Sequence, residues 1–277
     1  MKALEPIYTT HLFQPLSHEL INLLKTLTPA DWAKMTACAP WTVKDVAAHL
    51  LGGNLGRIGK PSPQPVSSPK PTLGYDDLLD LINRENALWI QAAKRISPPI
   101  LIELLALTDQ HLYEHFNGLD PYALAPISVA WASDALPPNW FDIAREYTEK
   151  WLHQQHIREA VGWPILASRE WLAPVIDTFM RGLPRTYRNA ANDDGKVVTV
   201  EITGPAGGVW TLLPTPNSWQ LFTGGIQKPS AHIIIPANVA WRLFSKGMSI
   251  ETALPLVSLQ GDLTLASHTL KLVSIMA

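Results

Sequence analysis

Asn139 to Val161 reads NWFDIAREYTEKWLHQQHIREAV, and the fold turns on whether this stretch is one long helix. Phe141, Ile143, Ala144, Tyr147, Trp151 and Ile157 give it a set of apolar residues available for burial. Within it, Glu149-Lys150-Trp151-Leu152-His153-Gln154-Gln155-His156-Ile157-Arg158 is the strongest local signal in the chain. On a helix, positions i, i+4 and i+7 sit within about 40–60° of one another around the axis, so Glu149, His153 and His156 share a face. One carboxylate with one or two imidazoles is a borderline ligand mixture suited to zinc, nickel or ferrous iron. Two ligands from one helix leave a metal half bound, and a third must come from elsewhere in the fold.

Upstream, the sequence predicts further helices. Thr28-Pro29-Ala30-Asp31 is a capping box with proline at the first helical position, opening a short helix. Thr42-Val43-Lys44-Asp45 is a second box, with Asp in place of Glu, and behind it Val46, His49, Leu50 and Gly53 lie on one stripe. His49 is therefore the natural third ligand from across a bundle. The blander reading is that the Glu–His pair is a solvated face and His49 a satisfied core residue; spacing alone does not separate the two. Pro61 to Pro71, PSPQPVSSPKP, reads as an extended connection. Tyr75 to Ile96 is again helical, with Leu78, Leu81, Ile82, Leu88 and Trp89 inward, and Pro98-Pro99 ends it. Leu101 to Phe116 gives a weak helical signal. Four helices with one long crossover fit a four-helix bundle.

After about residue 165 the character changes. A helix from Leu172 to Arg181 is followed by the alternating run Lys196 to Thr203, a turn at Gly204-Pro205-Ala206-Gly207-Gly208, and a resumed strand from Val209 to Leu213. That is a hairpin signal. His232 to Ile235 reads as a strand, and Ala237 to Ser245 and Asp262 to Leu272 as helices. The second part is thus a small α/β unit.

The bulk composition narrows the partners. A formal net charge of −2 offers no basic surface for nucleic acid. No run approaches the roughly 20 apolar residues that span a bilayer, and the first residues do not read as a secretory signal, which points to a cytoplasmic protein. Cys38 is the single cysteine, so no intrachain disulfide forms; it reads as a buried apolar cysteine, with a nucleophile as the alternative. No pattern specifies an oligomeric state. There is no GxSxG elbow, Walker loop, GxGxxG or paired CxxC. His111 and His115 have HxxxH spacing, but their place beside Asn117-Gly118 reads as an exposed helix end.

Two segments together resemble a known family. Pro40-Trp41-Thr42-Val43-Lys44-Asp45-Val46-Ala47-Ala48-His49-Leu50 resembles the N-terminal signature of the DinB-like mycothiol-dependent maleylpyruvate isomerase family. Glu149-x-x-x-His153-x-x-His156-Ile157-Arg158-x-Ala160-x-Gly162 resembles its second signature. The resemblance implies that His49, Glu149 and His153 hold one divalent metal, usually zinc. Near the end, Gly204-Pro205-Ala206-Gly207-Gly208-Val209-Trp210 and Gly261-Asp262-Leu263-Thr264-Leu265-Ala266 resemble the family's second, sterol-carrier-like domain. The implied fold class is α + α/β: a DinB-like four-helix bundle over residues 1–165, then a small sterol-carrier-like α/β domain over 166–277. The family more often has Asp where this chain has His156, which is either a fourth ligand closing the site or a group orienting the others. Arg158 is a candidate for holding an anionic substrate, with surface pairing the alternative, and Arg242 is a second candidate.

Two functions follow. In the first, the protein is a thiol-dependent transferase or isomerase. A low-molecular-weight, mycothiol-like thiol bound at the metal loses its proton and attacks a small electrophilic substrate. In the second, the metal staples the bundle, and the α/β part binds an apolar small molecule without catalysis. The coordination position left open, or closed by His156, separates them.

Overall fold

The computed structural model of the chain describes residues 1–59, 75–190, 195–216 and 218–275. The connection expected over Pro61 to Pro71 and the side chain of Leu78 lie outside what is described. The described residues form two compact units, each assembled from separate parts of the chain. One comprises Thr10–Asp120 and Glu149–Ile165; the other Met1–Thr9, Pro121–Thr148 and Leu166–Ile275.

The first unit is helical. It contains α1 (Phe13–Thr26), the short α2 (Pro29–Trp32), α3 (Val43–Ile58), α4 (Tyr75–Ala93), α5 (Pro98–Asn117) and residues 149–161 of α6 (Asn139–Val161). Both capping boxes form: the Thr42 hydroxyl accepts from the Asp45 N–H at 3.3 Å while the Asp45 carboxylate accepts from the Thr42 N–H at 3.0 Å, and Thr28 and Asp31 repeat the arrangement. Leu20, Leu23 and Leu24 of α1, Val46, Ala47, Leu50 and Leu51 of α3, Ile90 and Ala93 of α4, Leu101 and Leu105 of α5 and Ile157 of α6 make one core. At Gly52 the approach of α4 leaves no room for a side chain. A Cβ there would lie 2.5 Å from Trp89 Nε1, which donates to the Ala48 carbonyl at 2.7 Å.

Several expectations are corrected. Helix α1 lies outside the predicted elements; its Leu16, Leu20, Leu23, Leu24 spacing is helical, but Pro15 interrupts the opening turn and no side chain caps it. Pro98 and Pro99 do end the preceding segment, yet they also occupy the first turn of α5, where a missing N–H costs nothing. Leu88 is exposed, because the inward stripe of α4 runs through Trp89, Ile90 and Ala93. Gly53 is exposed as well; a Cβ there would meet nothing within 4 Å, so this side of α3 is open rather than core.

A buried polar cluster ties four helices of this unit together. Lys150 Nζ of α6 donates to Asp109 Oδ1 at 2.7 Å and to Asn54 Oδ1 at 2.6 Å. Asn54 Nδ2 of α3 donates to Asp109 Oδ1 and to Thr108 Oγ1 of α5, both at 2.8 Å. Ser17 Oγ of α1 completes it, donating to Asp109 Oδ2 at 2.6 Å.

The second unit holds a five-stranded sheet of order β3-β2-β1-β4-β5, with β1 (Val198–Thr203), β2 (Gly208–Thr215), β3 (Ser218–Thr223), β4 (Ala231–Pro236) and β5 (Ser258–Gly261). Strand β1 pairs antiparallel with β2 and parallel with β4, so the expected hairpin is present. Its turn needs glycine: a Cβ on Gly207 would fall 2.0 Å from the Ile202 carbonyl oxygen. This unit also contains residues 139–148 of α6, and α7 (Arg169–Met180), α8 (Leu183–Thr186), α9 (Ala237–Phe244), α10 (Ile250–Ala253) and α11 (Leu263–Ser267). The helix expected over Asp262 to Leu272 is α11 followed by a 3₁₀ turn, His268–Lys271. Tyr187 is buried beneath it, its hydroxyl bonding to the Leu265 carbonyl at 3.0 Å and Thr269 Oγ1 at 2.7 Å. Strands β3 and β5 are additions to the predicted set. No described helix is long and apolar enough to cross a membrane.

Removing one partner of a buried ion pair strands the other charge, at a cost of about 3–5 kcal/mol. Asp109→Ala is therefore expected to lower the urea midpoint of the helical unit far more than Thr42→Ala, whose lost cap costs about 1 kcal/mol. Equal, small effects by circular dichroism would show that the cluster is not structural.

Candidate metal centre

His49, Glu149 and His153, singled out in the sequence, come together within the helical unit. Residues 149–161 of α6 present Glu149 and His153 one turn apart, and α3 presents His49 opposite them. Both imidazoles aim Nε2 at the same carboxylate oxygen: His49 Nε2 lies 3.2 Å and His153 Nε2 3.0 Å from Glu149 Oε1. The two rings meet edge to face with centroids 4.6 Å apart. One ligand atom from each residue falls within 4.8 Å of the others, close enough to share a cation. The side chains of His49 and His153 are 14 % and 10 % exposed and Glu149 is 32 % exposed, so the cluster is sheltered yet reachable from its carboxylate side. Trp41 packs over it, its ring centre 4.9 Å from that of His49 and 6.3 Å from that of His153.

His156 does not join this group. Its Nδ1 lies 2.8 Å from Cys38 Sγ, and His153 Nδ1 lies 3.8 Å from the same sulfur. Cys38 is thus half buried between two imidazoles rather than an apolar core thiol. Nothing near Cys38 in the sequence announces this, because its partners are more than a hundred residues away. Arg158 is buried, with Nη2 donating to Glu19 Oε2 at 2.6 Å and Nη1 to the Pro164 carbonyl at 2.9 Å; its hydrogen bonds do not reach the cluster. Arg242 belongs to the α/β unit, where its guanidinium sits 4.2 Å over the ring of Trp241 and donates to the Asn238 carbonyl. His111 and His115 are exposed on the last turns of α5.

Electrostatics explain why a cation suits this cluster. Burial opposes ionisation of Glu149, but the charge and hydrogen bond of His153, with those of His49, hold its carboxyl well below the usual carboxylate range. Burial likewise opposes a charge on His153. The Glu149 carboxylate and the contact with Cys38 outweigh it and push the imidazole up to about 10.

The family of mycothiol maleylpyruvate isomerase N-terminal domains matches residues 13–158, more than half of the chain, and the chain belongs to that family. Among solved structures, a crystal structure of the mycothiol-dependent maleylpyruvate isomerase is similar over 91% of this chain and 91% of its own, with 11% identity and a TM-score of 0.50. A mutant of that enzyme matches over the same shares at 10% identity and a TM-score of 0.49. Sterol carrier protein 2-like 2 from Aedes aegypti covers 35% of this chain and 95% of its own, at 13% identity and a TM-score of 0.29. The isomerase match at a TM-score of 0.50 shows a shared fold, a helical part followed by an α/β part. No curated protein matches the sequence.

A divalent cation taken up by His49, Glu149 and His153 must displace the proton on His153, since a ligand imidazole has to be neutral. Roughly one proton is expected to leave per cation bound at pH 7, and affinity is expected to fall as the pH falls. Calorimetry in buffers of different ionisation enthalpy reads this directly; a binding enthalpy independent of buffer would contradict it.

Proposed function

We propose that the protein is a metal-dependent enzyme that uses a low-molecular-weight, mycothiol-like thiol for S-transfer to, or cis–trans isomerisation of, a small electrophilic substrate. One observation carries this reading. Three ligand atoms converge from α3 and α6, while His156, the residue able to close the set, is turned to Cys38 at 2.8 Å. Three protein ligands leave a tetrahedral cation one exchangeable position, the mark of catalytic rather than structural zinc. A divalent cation held there, zinc being the best match to two imidazoles and a carboxylate, supplies the charge that lets a bound thiol ionise at neutral pH.

The chain's own residues supply orientation and access. His49 and His153 converge through Nε2, and Trp41 packed on both rings restricts their rotation. The half-exposed edge of Glu149 and the open space around Gly53, one turn beyond His49, leave an approach among the described residues. Family membership and the shared fold of mycothiol-dependent maleylpyruvate isomerase support the choice of a thiol as co-substrate. The alternative, a metal that only staples the bundle, calls for a fourth protein ligand, and the orientation of His156 disfavours it.

The test is metal analysis of protein purified without chelator, followed by a panel of thiol-plus-electrophile assays. The protein is expected to carry about one divalent cation per chain. His49→Ala and Glu149→Gln are expected to lower thiol-dependent turnover by about 100-fold or more, since a catalytic cation contributes several kcal/mol, with the circular dichroism spectrum unchanged. A chain that refuses added zinc and nickel, or variants that keep full turnover, would overturn the reading.

A further inference from the structure

The sulfur of Cys38 and the imidazole of His156 are left over by the first ligand set, and they are not scattered. Cys38 sits in the loop between α2 and α3, which the backbone closes tightly. The Thr36 N–H donates to the Trp41 carbonyl at 3.0 Å, the Trp41 N–H to the Cys38 carbonyl at 2.9 Å, and the Val43 N–H to the Lys34 carbonyl at 2.9 Å. The Thr36 hydroxyl accepts from the Cys38 N–H at 3.2 Å. The loop therefore holds Sγ in one place, against the face of α6 that carries His153 and His156. His156 is buried, at 5% exposure, one turn beyond His153.

We propose that Cys38, His153 and His156 form a second metal-binding set, one that takes a thiophilic cation such as zinc or copper(I) and shares the His153 ring with the first set. The ligand atoms are Cys38 Sγ and the Nδ1 atoms of both histidines, 2.8 Å and 3.8 Å from the sulfur, with all three residues offering atoms within 4.8 Å of one another. Metal–sulfur bonds of about 2.3 Å and metal–nitrogen bonds of about 2.0–2.1 Å place tetrahedral ligands roughly 3.3–3.7 Å apart. The observed distances straddle that range, and shifts below about 1 Å bring them into it. One thiolate and two imidazoles are softer than one carboxylate and two imidazoles but carry the same charge. The two sets thus differ by ligand softness rather than by net attraction.

His153 makes the two sets exclusive. It faces Glu149 through Nε2 at 3.0 Å and Cys38 through Nδ1 at 3.8 Å. A neutral imidazole has a single lone pair to give and carries its proton on the other nitrogen. With a cation on Nε2, the Nδ1–H points at the sulfur; with a cation on Nδ1, the Nε2–H points at the Glu149 carboxylate. Either state satisfies the whole ring. Loading the second set exchanges the Cys38 thiol proton for the cation and needs no oxidant. The inference does not depend on the first set holding a metal.

Because Cys38 is the chain's single cysteine, every thiolate-to-metal signal reports on it. The experiment is an anaerobic cobalt(II) titration of the metal-stripped full chain, read as the near-ultraviolet thiolate-to-cobalt charge-transfer band. The band is expected in the wild-type chain or, where the first set outcompetes the second for cobalt, in His49→Ala and Glu149→Gln. It is expected to vanish in Cys38→Ser, and the cobalt affinity read from it to fall at least ~10-fold in His156→Ala. Glu149→Gln is nearly isosteric and covers the case in which His49→Ala fails to fold. No band in the wild type or in either first-set variant overturns the proposal, as does a band of unchanged affinity in His156→Ala. Cobalt binding to Cys38→Ser that His49→Ala abolishes, with no band anywhere, would sink this proposal while leaving the proposed function standing. A band in His49→Ala without thiol-dependent turnover in any form of the protein would do the reverse.

Discussion

The buried ion pair between Lys150 and Asp109, 2.7 Å long and shared with Asn54, is the constraint from which the helical unit takes its register. Burying an ammonium and a carboxylate carries a desolvation cost that their attraction only partly offsets, so such a pair is weak as a source of net stability. Its effect is on uniqueness. Lys150 reaches its partners only when α6 has one rotation and one height against α3 and α5. Ser17 extends the same demand to α1. An apolar core of leucines and alanines tolerates sliding by repacking, whereas a stranded ammonium does not. Glu149 is the residue before Lys150 on α6 and His153 lies less than one turn beyond it, so the pair that sets the helix also aims Glu149 and His153.

Asn54 and His49 stand on the same helix five residues apart, the first buried in the polar cluster and the second nearly so, beside the more exposed Glu149. The unit therefore grades from a closed polar core at Lys150 and Asn54 to a polar group reachable at Glu149. This gradient separates structural from chemical charge. Lys150 finds its counter-charge inside the protein, in Asp109. Glu149 faces two imidazoles that compete for one carboxylate oxygen. Behind His153, Cys38 meets two ring nitrogens. A histidine that ligates a metal usually has its other nitrogen fixed by a carboxylate or carbonyl. Here a sulfur stands in that position.

Much of this was legible in the sequence where the signal is local. The bounds of α6, Asn139–Val161, follow from its apolar spacing, and α3 starts where the Thr42–Asp45 box places it. The convergence of His49 on Glu149 and His153 was legible through two motifs read together, since neither helix alone reveals the other's rotation. What stayed hidden depends on distant partners. Lys150 beside Glu149 looks like any solvated Glu–Lys pair on a helix. Only the fold shows that Asp109, forty-one residues away, makes it a core residue. Strand β5 is four residues long and takes its pairing from β4, with no alternation of its own to read. Helix α1 has a clear apolar spacing but lacks the capping residues that mark a start.

Two kinds of element bring these side chains together, packed helices and a loop closed on itself. His49, Glu149 and His153 stand on helices fixed by the core and by the Lys150 cluster, so their convergence is set by the fold before any cation arrives. Gly52 reinforces this, because its missing side chain lets Trp89 dock on α3 and bond to the carbonyl of Ala48, the residue before His49. Cys38 and Trp41 instead ride on a loop, closed by its own backbone bonds but joined to α6 only through side chains. The side chains on α3 and α6 are thus placed by helix packing, and the Cys38 sulfur by the hydrogen bonds of its own loop.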